Sequence, residues 1–119
     1  HGGYPLEREA IWLAAMKNVY LDTSFGELAQ YPSAFKNTLK MFLETFPDKI
    51  TFGTDCFPYN QVLGAEESYW LGAQSSRTAL AAALAEMISE GEITESRALE
   101  LAHAYLHDTA VKLYGGRVH

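Results

Sequence analysis

Cysteine is nearly absent. Cys56 is the single one among 119 residues, so no internal disulfide can form. A lone thiol fits a reducing compartment, and a cytoplasmic protein is the expectation. Basic residues are also scarce, 9 against 15 acidic, giving a net charge of −6. That balance excludes a nucleic-acid backbone binder, which needs clustered Lys and Arg. No apolar run approaches the roughly 18 residues that span a bilayer, so no membrane partner is expected. The longest weakly polar run, Ala79 to Ala85, is short and Ala-rich. The start has no basic segment followed by an apolar one, so no signal-peptide pattern is present. It also has no Met: a chain beginning at His1 is expected to be processed or to be a piece of something longer. The length is itself a shortage. A closed (β/α)8 barrel takes roughly 200–250 residues, and a two-domain enzyme takes more. What is present, 48% apolar and 20% charged residues, is the composition of one ordinary globular unit.

Glycine and proline fall between periodic segments. His1 to Pro5 reads as a loop, and Pro5 can open a helix from about Leu6 to Met16 with Leu6, Ala10, Leu13 and Ala14 on one face. Asn18-Val19-Tyr20-Leu21-Asp22 reads as a buried strand, and Thr23 to Gln30 as a loop. Pro32 opens a helix to about Phe46, with Phe35, Leu39, Phe42 and Leu43 on one face; Pro47 ends it. Lys49 to Gly53 is a second short strand. The order helix, strand, helix, strand predicts parallel α/β units. A long loop from Thr54 to about Gln74 follows; loops of that length are often functional or partly helical. Ser75 or Ser76 can cap a helix ending before Gly91, and Thr94 a helix to about Leu106 with Ala98, Leu101, Ala102 and Tyr105 on one face. Asp108 can cap a last helix that stops at Gly115. The expected architecture is therefore α/β: two short parallel strands with flanking helices and a helical C-terminal half.

Two residues sit where chemistry is expected. His1 and Asp55 each fall just beyond the C-terminal end of a parallel strand, the edge at which such sheets bind ligands. Gly53 would let the chain turn tightly and aim Asp55 over that edge, where a carboxylate can ligate a metal or take a proton from its water. An Asx turn or helix cap is the plainer role for the same aspartate. Gly2 and Gly3 beside His1 would allow close backbone approach to a ligand, although a bare chain end reads the same way. An N-terminal His can also chelate copper, but the α/β pattern and single cysteine speak against that use. His103 and His107 are spaced i, i+4 but lack the Glu of a zincin motif, so they read as structural; His119 ends the chain. Cys56 reads as a buried spectator, Glu66-Glu67 as a solvated helix start, and Arg77 as a surface residue or a binder of a substrate carboxylate. Tyr59, Tyr69 and Trp70 can line a pocket, form an oligomer contact, or simply pack the long loop.

Three segments together carry a resemblance. His1-Gly2-Gly3-Tyr4-Pro5, then Asn18-Val19-Tyr20-Leu21-Asp22-Thr23-Ser24, then Ile50-Thr51-Phe52-Gly53-Thr54-Asp55-Cys56-Phe57-Pro58 resemble the C-terminal part of the amidohydrolase superfamily. The nearest likeness is to the amidohydrolase-2 group, which includes aminocarboxymuconate-semialdehyde decarboxylase and related aromatic-acid decarboxylases. Ala102 to Gly115 is similar to that group's closing helix. The resemblance implies the last part of a (β/α)8 barrel, a single partial domain over residues 1–119, with a divalent metal, commonly zinc, at the strands' C-terminal face. It implies that His1 ends the sixth strand and polarises substrate or water. It implies that Asp55 ends the eighth, ligates the metal and helps deprotonate its water. The family's His-x-His pair and its middle-strand histidine or modified lysine have no counterpart in this sequence. His1 and Asp55 alone do not make up the three protein ligands of a catalytic zinc site.

The expected function follows: a C-terminal segment of a metal-dependent hydrolase or non-oxidative decarboxylase acting on a small organic molecule, inactive in isolation. The alternative is a non-catalytic α/β module. In either case a part-barrel exposes strand edges and apolar surface, so a homo-oligomer or association with a missing N-terminal half is expected.

Overall fold

Phe35, Leu39, Phe42 and Leu43 line one face of the helix α3, Pro32–Thr45, and all four are buried. Pro32 occupies its first turn, where a missing N–H goes unnoticed. That face packs on the long helix α4, Ala65–Ser89, through Leu80, Leu84 and Met87. Across the outer side of the same contact, Lys36 pairs with Glu86, and Lys40 reaches Glu44, Glu86, Glu90 and Glu92. The Glu90 carboxylate holds the Lys40 ammonium well above its usual range.

The computed structural model describes residues 1–115, so His119 lies outside the described residues. The chain opens with α1, Glu7–Ala10, which tightens into a 3-10 turn, Ile11–Ala15. The strand β1, Leu21–Asp22, leads into the short helix α2, Gly26–Ala29, and then α3. A 3-10 turn, Pro47–Lys49, enters β2, Ile50–Thr51. After α4 come α5, Glu95–His103, a π-helical turn, Ala104–Asp108, and α6, Thr109–Tyr114. The two strands are parallel, with Leu21 opposite Ile50 and Asp22 opposite Thr51. Ile50 of β2 is sealed in the core with Leu39, Phe42 and Tyr105. The architecture is mixed: helices around two short parallel strands, as expected.

Several local expectations are corrected. The first helix starts at Glu7, and its switch to 3-10 winding changes the phase of its buried face. Ile11 and Ala14 are buried, whereas Leu6 and Leu13 are exposed. Both strands are two residues long, shorter than the expected Asn18–Asp22 and Lys49–Gly53. The supposed loop at Thr54 becomes helical at Ala65, so Ser75 and Ser76 lie inside α4 and cap nothing. Glu66 and Glu67 occupy the first turn of that helix, favourably placed against its dipole. Thr94 caps α5 as expected, accepting from the Arg97 amide. Asp108 does not cap: its backbone is already helical, and its carboxylate takes the His107 ring at 2.8 Å instead.

Candidate active site

The chain after each strand is locked by short hydrogen bonds. The Thr23 amide donates to the Thr51 carbonyl at 3.0 Å, extending the parallel ladder by one rung. The Ser24 amide donates to Asp22 Oδ1 at 2.8 Å, so Asp22 shapes the turn that leaves β1. Gly53 is needed for closeness, not for a tight turn. A Cβ there would lie 2.8 Å from Asp22 Oδ2 and 3.0 Å from the Ser24 Cβ. Among the described residues, the non-glycine residues with positive φ are Phe25 (φ 66°) and Asp55 (φ 48°), one beyond each strand. Aspartate tolerates that conformation; for a bulky phenylalanine it costs roughly 1–2 kcal/mol. Such strain collects at functional positions.

His1 is brought to the same edge from the other side of β1. The Gly2 amide donates to the Asp22 carbonyl at 2.6 Å, laying the N-terminal segment alongside the strand. The His1 Nδ1 sits 2.7 Å from the Ser24 carbonyl. A carbonyl can only accept, so Nδ1 carries the proton and Nε2 points outward. That Nε2 lies 3.7 Å from Asp55 Oδ2, with the two side chains 49% and 44% exposed. The gap is too long for a direct hydrogen bond, but an oxygen atom about 2.8 Å from each fits astride it. Gly2 and Gly3 have φ of 62° and 86°, and a Cβ on Gly3 would lie 2.1 Å from that of Ala10. These glycines turn the chain onto α1; close approach to a ligand is not their reason.

An aromatic row borders the pair. The Phe25 ring lies 5.1 Å from His1 and 5.9 Å from Tyr59, and Tyr59 lies 3.8 Å from Phe57. Nearby is the buried carboxyl of Glu27, on α2, whose two oxygens find no hydrogen-bond partner of good geometry among the described residues. Loss of water pushes its pKa up to about 7; the amides of Glu27 and Phe25 oppose this, and the charges of Asp22 and Asp55 add to it. Gly72 of α4 makes the room, since a Cβ there would lie 2.7 Å from Glu27 Oε1 and 3.3 Å from the Thr54 Cβ.

Imidazole nitrogen and carboxylate oxygen suit a borderline metal such as zinc. Among the described residues, however, no three His, Cys, Asp or Glu side chains converge to hold an ion. His1 and Asp55 are two side chains, fewer than the three protein ligands of a catalytic zinc site.

The sequence model of a family described as Amidohydrolase matches residues 1–116. The chain belongs to the amidohydrolase family. It is also 32% identical over 120 residues to Protein fluG of Emericella nidulans, an alignment covering 96% of the chain and 13% of fluG. The chain thus spans a small part of the length of the curated relative it matches. No solved structure matches it.

In this amidohydrolase segment the structure brings His1 and Asp55 together and leaves His103 and His107 apart. His103 and His107 are exposed on the far helices, and the intervening π turn breaks their i, i+4 alignment. Cys56, expected to be buried, is exposed, because the chain at Asp55 swings outward. Arg77 is exposed, as are Tyr69 and Trp70. Tyr59 is half-buried, and its hydroxyl lacks a partner among the described residues. Sequence reasoning missed Glu27, Ser24 and Phe25. A lone Glu in a short connecting segment carries no signal of burial, and a backbone acceptor carries none at all. No described helix is long and apolar enough to cross a membrane.

Proposed function

We propose that the chain is the C-terminal segment of a metal-dependent amidohydrolase-type enzyme, forming the last strands of a (β/α)8 barrel. The observation that carries this is the meeting of His1 and Asp55 at the C-terminal ends of parallel strands. The lateral order, with residues 1–2 beside β1 and β1 beside β2, suits consecutive barrel strands. Members of the family are typically metal-dependent. Asp55, with donors from outside the chain, would hold a divalent metal, with zinc favoured by the donor chemistry. Such an ion lowers the pKa of a bound water to about 7. His1, oriented by the Ser24 carbonyl, presents its unprotonated Nε2 to substrate or water and polarises it by accepting a hydrogen bond. Asp55 accepts the proton of the attacking water. Either hydrolysis or non-oxidative decarboxylation can use this pair, in a cytoplasmic setting.

With the ligand set incomplete, the chain alone is inactive and binds zinc weakly. Metal analysis of the purified chain, with a hydrolase and decarboxylase screen, tests this. The expected result is substoichiometric zinc and no turnover. Tight stoichiometric zinc with turnover would refute it.

A further inference from the structure

We propose that Tyr105 is a positioning residue of the His1–Asp55 site, acting through Thr23 and the Ser24 carbonyl on the tautomer and orientation of the His1 ring. The inference rests on the reading of His1 as a site residue and goes beyond it. Tyr105 is fully buried and belongs to the π-helical turn between α5 and α6. A π turn inserts an extra residue into the helical winding and re-aims the side chains around it, and such turns recur at functional sites. Here the turn meets the strand ends twice. The Tyr105 carbonyl accepts the Phe52 amide at 3.1 Å, and its hydroxyl lies 2.7 Å from Thr23 Oγ1. Thr23 Oγ1 donates onward to the Thr51 carbonyl at 3.3 Å, so the hydrogen between the two hydroxyls belongs to Tyr105. The Tyr105 ring also meets Phe52 edge to face, 6.0 Å between centroids.

Thr23 is therefore held by its amide, its hydroxyl and the phenol of a distant helix. Ser24 follows it directly, with its own amide fixed by Asp22 and its carbonyl fixing His1 Nδ1. With Nδ1 committed to a carbonyl, Nε2 is left to face Asp55. If Thr23 loosens, the Ser24 carbonyl shifts and the ring loses the partner that selects its tautomer. A buried phenol that served packing alone would have no effect on that choice.

The test is nitrogen-15 NMR of the His1 ring in the intact chain, assigned by loss of its signals in His1→Gln. The variants are Tyr105→Phe, Thr23→Val and Thr23→Ser. In the unsubstituted chain the neutral ring should carry its proton on Nδ1. Tyr105→Phe, which keeps the ring and its packing, should lower the Nδ1–H to Nε2–H ratio at least threefold while the circular dichroism stays unchanged. Thr23→Val should do the same, and Thr23→Ser should restore the starting ratio. A Tyr105→Phe chain that melts earlier but keeps the ratio would overturn the proposal, as would an unchanged ratio in Thr23→Val. The readout needs no turnover. Failure of the hydrolase reading would appear only in the activity screen, and failure of this one only in the tautomer ratio.

Discussion

At the scale of single residues, the unusual group is Glu27. Its pKa rises from 4.5 to about 7 in the fold. An acid that binds its proton more tightly when folded lends stability below its unfolded pKa and loses that contribution as pH rises through the folded one. Unfolding free energy should therefore fall by about 2–3 kcal/mol between about pH 5 and about pH 8. Glu27→Gln should remove most of that fall. Urea melts at the two pH values check it, and parallel slopes for the two proteins would mean that Glu27 ionises freely. Gly3 makes a second point. Its φ of 86° and the Ala10 Cβ only 2.1 Å from its missing Cβ leave no room for a side chain. Gly3→Ala should cost about 2 kcal/mol or more, read as a lowered melting temperature. The meeting of His1 and Asp55 was legible in part, Asp55 from the strand that precedes it and His1 from its resemblance to a family motif. Their neighbour Phe25 was not, since nothing about a phenylalanine foretells a positive φ.

At the scale of elements, α3 was the most legible, with a proline start and four apolar residues at helical spacing, all of them buried. Leu39 has no exposure at all. Leu39→Ala should cost about 2–5 kcal/mol through lost burial and the cavity left behind, measurable by denaturant unfolding with an unchanged m-value. The α4 helix was read late because its first turns carry Tyr69, Trp70 and Gly72, which resemble loop residues when tertiary contacts are unknown. Those contacts explain the glycine: Gly72 gives up helix propensity to make space for Glu27 and Thr54. The π turn was invisible for a similar reason. Its register is set by what Tyr105 reaches across the molecule, not by local pattern.

At the scale of the whole molecule, the described residues form a sheet of only two short strands, and Leu6, Trp12, Met16, Tyr31 and Val62 are exposed apolar residues. Such surface is expected to be covered by a second copy or by the rest of a barrel. Sedimentation of the chain should show self-association at micromolar concentration, and a clean monomer would contradict it. The central claim is narrower: His1 and Asp55 form one chemical site. The most direct measurement is turnover by a longer polypeptide that carries this segment and hydrolyses or decarboxylates a screened substrate, compared with its Asp55→Asn and His1→Gln variants. The account predicts that each variant folds normally and loses about 10²–10⁴ in kcat. Turnover near that of the unsubstituted enzyme in either variant would contradict it.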